Sequence, residues 1–431
     1  MLGQQIILSP IWQNSIRLYI AYMLASPEIS LEAAQSSRIR ELLPRWRKIP
    51  LYREMLARQD FDLRDLPIIT KREMRVGFPE NFLHSGRTLE GLLAEQLVEL
   101  EHTSGTSEDR LPVIFGVGWW NEQEKRALRL NKFVARVLDE TPNARRATLT
   151  SPACNGLTCP TVWMSQSQRT LGDALFINLA RIPFVLSDAE LQRMADEITE
   201  WSPQFLDLDP VHGSWFALYC ERNNIRFPSL QFTICSYEFV SVVHRRIIQR
   251  VFGVPVFNLY GSTETGHLLM ENETGEMKPS YDTAALEILE TDAAGIGTLL
   301  VTTLSNDYMP LLRYRIGDLS QRREQAYGTD YLVHGRIRDA LTSASGNLVT
   351  TWQVDQCFVG ASGIAHYQLR EMREGNFHLR YVPEPNGGVN GLSSVIARLE
   401  SLLQSTMMTE PVPTLLPEGS GKFRLTCKKV E

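Results

Sequence analysis

The sequence predicts an α/β protein in two parts: a large N-terminal domain over residues 1–334, mixing sheets and helices with a β-rich subdomain, and a small α+β domain over residues 335–431. Three observations carry this expectation. The stretch "LQFTICSYEFVSVVHRRIIQRVFGVPVFNLYGSTE", from Leu230 to Glu264, reads as strand, loop, helix, strand and polar turn, about the length that a parallel crossover requires. From Ala284 to Leu332 the chain alternates between apolar and polar residues, punctuated by Gly295, Gly297, Gly317 and Gly328, a pattern of hairpins rather than crossovers. Past "VHGRIRD" it returns to mixed strand and helix, which sets a boundary near Gly335.

The first hundred residues read as helical, with Ser37–Leu43 and Tyr52–Gln59 mixing apolar and basic residues at helical spacing and Pro44, Pro50, Pro67 and Pro79 as breaks. Asn121–Leu138 is expected as one amphipathic helix, and a strand is expected over Val254–Phe257. With 431 residues of which 43% are hydrophobic, the chain can bury large cores. Lys and Arg number 44 against 50 Asp and Glu, a net charge of −6, so nucleic acid is not an expected partner. The six cysteines, Cys154, Cys159, Cys220, Cys235, Cys357 and Cys427, are scattered without a CxxC pair and read as reduced thiols. Gln4 and Gln5 stand where a signal peptide has basic residues, and Ile16–Ala25 is far shorter than a bilayer span. The expectation is a cytoplasmic protein with no membrane segment; a homodimer is left open.

Five short segments carry chemistry. Thr103, Ser104, Gly105, Thr106 and Ser107 form a row of small hydroxyl and glycine residues whose amides and hydroxyls suit a polyphosphate, although a polar surface loop has the same composition and no GK[ST] follows. "NLYGSTETG", Asn258–Gly266, follows a predicted parallel strand, where open α/β sheets place ligands. Glu264 there suits a Mg²⁺ ion bridging phosphates, or equally the first turn of a helix. Asp318 in "LLRYRIGDLS" suits a ribose diol or a turn; Arg336 in "HGRIRD" suits a phosphate or a surface cap. Lys422 in "PEGSGKFRL" sits on a Gly-Ser-Gly tether, where a lysine is usually just solvated.

The order of these segments resembles the motif set of the adenylate-forming ligase superfamily, and "KIPLYREML", "DLPIITKREMRVGFP" and "PLLRYRIGDL" resemble its phenylacetate–CoA ligase branch. The resemblance spans about Pro50 to Lys422. It implies that the large domain is the adenylate-forming one, with the small domain on a hinge. It also implies a two-step reaction: a carboxylate and Mg-ATP give acyl-AMP, then a thiol, usually that of coenzyme A, displaces AMP. By position, Ser104 to Ser107 would hold the outer phosphates, and Ser236, Tyr237 and Glu238 would face adenine. Tyr260, Gly261, Ser262, Thr263 and Glu264 would touch adenine, the α-phosphate and Mg²⁺. Asp318 and Arg336 would take the ribose and phosphate, Asp339 would be the hinge, and Lys422 the lysine of adenylation.

Three positions depart from the pattern. Glu108 and Asp109 intrude in the hydroxyl-rich loop with only Arg110 as a cation, Arg338 replaces the first acid after "GR", and Asp355 stands about where a glutamate is common. Acidic residues beside a polyphosphate weaken its binding unless they point away. The acyl pocket is expected between Leu206–Tyr219 and Cys235–Gly261, lined by Phe205, His212, Tyr237, Gly261 and His267. The branch suggests an aromatic carboxylic acid such as a benzoate, an anthranilate or phenylacetate. Competing endings are transfer to a carrier-protein phosphopantetheine or to an amine, and, from another class, a degenerate nucleotide-binding scaffold.

Overall fold

The computed structural model describes residues 27–57, 62–103, 110–150, 164–325, 328–372, 375–385 and 387–428. A helix over Pro27–Trp46 opens the described chain and contains Pro44. The helix expected over Tyr52–Gln59 is a 3₁₀ turn, Pro50–Tyr52, followed by turns; residues 58 and 59 lie outside the described set. The reason is tertiary: Tyr52 is buried and donates its hydroxyl to the Pro310 carbonyl at 2.8 Å, which ties this segment to the β-rich region. Strands β1 (Val98–His102) and β2 (Pro112–Gly116) form an antiparallel pair that flanks the hydroxyl-rich stretch.

The expected single helix over Asn121–Leu138 is two, Trp119–Leu128 and Lys132–Glu140. Asn131 makes the break. Its side-chain oxygen accepts from the Val134 amide at 2.9 Å, capping the second helix, while its Nδ2 donates to the Glu271 carbonyl at 2.9 Å.

Strands β3 (Arg146–Leu149), β4 (Thr170–Leu171), β5 (Ala174–Phe176), β6 (Phe205–Leu208), β7 (Phe232–Cys235), β8 (Val256–Ser262), β9 (Gly266–Glu271) and β10 (Met277–Pro279) form one sheet in the order β10-β9-β8-β7-β6-β3-β5-β4. Its centre, β5-β3-β6-β7-β8, is parallel, as the crossover over Leu230–Glu264 requires. The strand expected over Val254–Phe257 starts at Val256 and runs on to Ser262, so Asn258 to Ser262 is strand rather than turn. It then reverses at Thr263–Thr265 into β9 as an antiparallel hairpin.

Strands β11 (Ala284–Leu289), β12 (Ile296–Thr303), β13 (Tyr314–Gln325) and β14 (Gly328–Arg336) make the predicted antiparallel meander. After it come a small hairpin, β15 (Leu341–Thr342) with β16 (Leu348–Val349), and a last sheet of β17 (Ile364–Glu371), β18 (Phe377–Pro383), β19 (Met407–Pro411) and β20 (Thr426–Cys427), ordered β19-β18-β17-β20. Among the described residues no helix is long and apolar enough to cross a membrane. Cys220, Cys235, Cys357 and Cys427 are free thiols, while Cys154 and Cys159 lie outside the described residues.

One apolar core is continuous from β3 and β6, through the helices Pro210–Arg222 and Val242–Phe252, into β17, β18 and the helix Leu392–Leu403. The seam also holds polar contacts. His244 Nε2 lies 3.0 Å from His366 Nδ1, and the rings of both are fully buried and neutral, burial holding each far below the usual histidine range. Phe423 packs against His366, His212 and Phe184 at centroid distances of 5.2, 6.2 and 5.6 Å.

Asp355 crosses the same seam. It accepts from the Ser241 hydroxyl at 2.5 Å, the Val242 amide at 2.9 Å and the Tyr367 hydroxyl at 2.8 Å. Burial raises its pKa to about 6, against the opposing pull of those hydrogen bonds. A carboxyl raised on folding binds more protons in the folded state, so its contribution is fully present below the unfolded value near 3.8 and is lost as pH rises through about 6. Comparing the wild type with Asp355→Asn by urea unfolding between pH 4 and 7, the difference in stability between the two proteins is expected to vary with pH across that window. A constant difference would refute the assignment.

Candidate active site

A strand offers alternate side chains to opposite faces, and the parallel sheet uses this to separate core from cavity. Ala147, Leu149, Leu206, Leu208 and Cys235 face the apolar core shared with the helices Pro210–Arg222 and Val242–Phe252. Their neighbours, Arg146 and Thr148, Phe205 and Asp207, Ile234 and Ser236, Leu259 and Gly261, line a cavity of about 470 Å³ on the other face. The helix Trp119–Leu128 roofs it with Trp120 and Glu124, one helical turn apart.

Past the carboxyl ends of β7 and β8 the cavity meets the chain's tail. Lys422 lines it and donates from Nζ to the Tyr237 carbonyl at 2.7 Å, while the Phe423 amide donates to Glu238 Oε1 at 2.7 Å. Tyr237 has φ 72°, the left-handed region that a tyrosine rarely adopts. The Tyr237 hydroxyl and the Ser236 hydroxyl both donate to Asp207, at 2.7 and 2.8 Å, which fixes this turn to the floor of the cavity. Burial raises the pKa of Asp207, against the pull of Arg146, and burial with Asp209 as neighbour pushes Glu238 well above the usual carboxylate range.

A second cluster adjoins along β8. Tyr260 donates to Asp318 at 2.6 Å, and Arg336 pairs with Asp318 at 2.8 Å, because Asp318 and Arg336 face each other across β13 and β14. Glu264, in the hairpin turn, is buried beside Lys71 at 3.4 Å and accepts from the Tyr314 hydroxyl at 3.3 Å. Burial pushes the Glu264 carboxyl up, but the Lys71 ammonium and nearby hydrogen-bond donors outweigh it, so it is held ionised. Lys71 reaches this place because Ile69 bridges Tyr314 of β13 and Thr70 caps the short helix Lys71–Arg75.

Asp339, in a 3₁₀ turn just after β14, pairs with Arg424 at 2.5 Å, and Glu418 pairs with Arg338 at 2.8 Å. Arg181 from the large domain donates to the Gly419 carbonyl at 2.6 Å. These contacts hold the segment that carries Lys422.

Most of the residues singled out in the sequence therefore converge. Phe205, Ser236, Tyr237, Gly261, Ser262, Thr263, His267 and Lys422 line one cavity; Tyr260, Glu264, Asp318 and Arg336 form the cluster beside it. Ser104, Gly105, Thr106 and Ser107 lie outside the described residues, as do Glu108 and Asp109. Thr103 is described and buried: its hydroxyl accepts from the Leu111 amide at 2.9 Å and closes the base of that loop. His212 does not line the cavity. It sits in the first turn of the helix on the other face of the sheet, with Nδ1 3.1 Å from Asn178 Nδ2 and Nε2 without a hydrogen-bond partner among the described residues. His267 is neutral through burial, packs against Trp120 with ring centroids 5.1 Å apart and planes tilted by 59°, and has Nδ1 2.9 Å from the Gln123 amide nitrogen.

Five residues escaped the sequence reading: Arg146, Thr148, Asp207, Glu124 and Lys71. The signal for Arg146 and Asp207 was present, since "RATL" and "FLDL" each carry one charge in an otherwise uncharged strand. Lys71 lay inside "ITKREM", which carried resemblance but no assigned role.

None of the protein-family models compared matches the chain. It is 28% identical over 184 residues to Protein CapK of Staphylococcus aureus, a match spanning only 40% of each chain. It is 23% identical over 378 residues to a phenylacetate–coenzyme A ligase of Thermus thermophilus, covering 81% of this chain and 80% of that one. A crystal structure of 2-hydroxyisobutyryl-CoA ligase in the post-adenylation state with R3-HIB-AMP has a TM-score of 0.66 at 16% identity, covering 92% of this chain and 89% of that one. The same enzyme in its thioesterification state scores 0.53. The fold is thus that of the adenylate-forming ligases, a large domain followed by a smaller C-terminal one.

Gly261 faces the β9 backbone so closely that a Cβ would stand 2.2 Å from the Gly266 carbonyl oxygen. Gly261→Ala must therefore part the hairpin, with an expected loss of about 1–3 kcal/mol of stability in urea unfolding. An unchanged midpoint would show that the backbone there yields.

Proposed function

We propose that this chain, with its adenylate-forming ligase fold, activates an aromatic carboxylic acid with ATP and passes the acyl group to coenzyme A. A carboxylate oxygen attacks the α-phosphorus as its bond to pyrophosphate breaks; the thiol sulfur then attacks the acyl carbon and AMP leaves. The observation that most supports this reading is Lys422: the tail delivers its ammonium into the cavity that holds Ser236, Tyr237, Ser262 and Thr263. Negative charge gathers at the α-phosphate in the first step, and a fixed cation there stabilises that state more than the ground state.

In this reading Thr263 flanks the α-phosphate, and Ser236, Tyr237, Glu238 and Tyr260 surround the adenine. Asp318 accepts from the ribose diol and Arg336 orients it, while the outer phosphates are assigned to Ser104, Gly105, Thr106 and Ser107, which lie outside the described residues. Phe205, Gly261 and His267 line the acyl group, and His212, behind the sheet, is not among them. Glu264 suits a magnesium ion as its single protein carboxylate, since Mg²⁺ keeps waters and phosphate oxygens as its other ligands. Among the described residues no group of three or more His, Cys, Asp or Glu is arranged for a metal. When bound with ATP, the ion neutralises phosphate charge. A carrier-protein phosphopantetheine presents the same thiol as coenzyme A, and side-by-side assays decide between them. In this reading the protein works in the cytoplasm, where ATP and coenzyme A are supplied, and sedimentation decides the homodimer.

Residues 335–431 are the mobile domain of this proposal, turning about Asp339 after adenylation to open a path for the thiol. Pyrophosphate exchange over a panel of aryl acids, with AMP release followed with and without coenzyme A, tests the reaction. No exchange with any acid by a chain that binds ATP would favour a nucleotide-binding scaffold instead. Lys422→Ala is expected to lower exchange by about 10²–10³ while nucleotide binding by calorimetry changes little. Asp339→Pro is expected to slow thioester formation by about tenfold or more while exchange falls less. If both half-reactions kept wild-type rates, the hinge would lie elsewhere.

A further inference from the structure

The far end of the cavity from Lys422 is charged. Across the sheet Arg146, Phe205 and Phe232 share one row, and Thr148, Asp207 and Ile234 the next. Ser236, next to the Lys422 contact and bonded to Asp207, lies two residues beyond Ile234 and four beyond Phe232, so the Thr148–Asp207 row is about 7 Å and the Arg146 row about 13 Å along the strand at ~3.3 Å per residue. An acid with its carboxylate at the Lys422 end therefore extends its far end toward these rows.

Arg146 there is engaged by Glu124, its Nη1 lying 2.9 and 3.2 Å from the two carboxylate oxygens. Asp207 accepts from Ser236 and Tyr237, leaving lone pairs on both oxygens unused. The Arg146 guanidinium is bonded to Glu124 and acts on Asp207 only through its charge, so the two carboxyl groups keep acceptor capacity that it does not fill. Beside them Thr148, 2% exposed, has its hydroxyl without a hydrogen-bond partner among the described residues. An uncharged arene seated on this row would leave the free acceptor capacity and the Thr148 hydroxyl unsatisfied, and a second carboxylate would face Glu124 and Asp207, two acceptors with no donor of their own to offer it.

We infer that the acid activated here carries a hydrogen-bond-donating substituent, an amino or hydroxyl group on the ring, and that Glu124, Asp207 and Thr148 select it. This rests on the ligase reading above and names its substrate class. Glu124 and Thr148 are specificity residues acting at the substituent, remote from the reacting atoms.

The test is pyrophosphate exchange with benzoate, 3- and 4-aminobenzoate, 3- and 4-hydroxybenzoate and terephthalate. The wild type is expected to prefer at least one amino or hydroxy acid over benzoate by about tenfold or more in kcat/KM, with terephthalate poorest, because a site built to bond a donor rejects the analogue that lacks it. Glu124→Gln and Thr148→Val are expected to shrink that preference through the KM for the acid while the KM for ATP holds. Melting curves check that each variant is folded, and the near-isosteric Thr148→Val carries the test if Glu124→Gln is not. Equal rates with benzoate and every substituted acid, or a preference for terephthalate, would overturn this inference and leave the ligase reading intact. Binding of ATP with no exchange for any acid would overturn both.

Discussion

The central constraint is that one parallel sheet must serve two environments at once. Strands of four residues in β3, β6 and β7 give two side chains to each face, one face toward the shared core and the other toward the cavity and the apolar cluster of Phe205, Phe232 and Ile234 beside it. On the core side the chain spends Ala147, Leu149, Leu206 and Leu208, which pack against two helices and continue into the C-terminal sheet. On the cavity side it spends charge, hydroxyl and aromatic groups. A slip of one residue in register would bury Arg146 and Asp207 in the core, at a desolvation cost that no neighbour there repays. The cavity and the core therefore specify each other.

The tail obeys the same rule. Lys422 and Phe423 are consecutive in an extended segment, so one reaches the cavity while the other enters the aromatic group of Phe184, His212 and His366. The apolar neighbour anchors, and the ammonium is thereby presented. Arg424 continues the alternation with its ion pair to Asp339. Three successive residues thus join the cavity, the seam and the turn after β14.

Much of this was legible in the sequence because the relevant segments are local. The crossover over Leu230–Glu264 and the meander from Ala284 announce themselves by period, and Tyr260, Asp318, Arg336 and Lys422 lie in short motifs whose order along the chain is informative. What stayed hidden depended on contacts distant in sequence. Asp207 and Asp209 alternate identically with leucines in "FLDLDP", yet the first lines the cavity and the second caps the next helix by accepting from the Val211 and His212 amides. Asn131 reads as one more polar position on a helix until Val134 and Glu271 are seen to claim its two ends. His212 read as a pocket residue because its segment does approach the cavity, but its helix packs on the opposite face. Lys71 had no local sign at all, since its partner Glu264 lies almost two hundred positions on.

The paired rings of His244 and His366 have a further consequence. They are uncharged because no water reaches them, and their proton affinity is suppressed by that dryness. Any separation of the two surfaces that wets the imidazoles restores their basicity, so parting is thermodynamically linked to proton uptake. If the rotation proposed for residues 335–431 parts these surfaces, that motion is coupled to proton uptake and acid favours it.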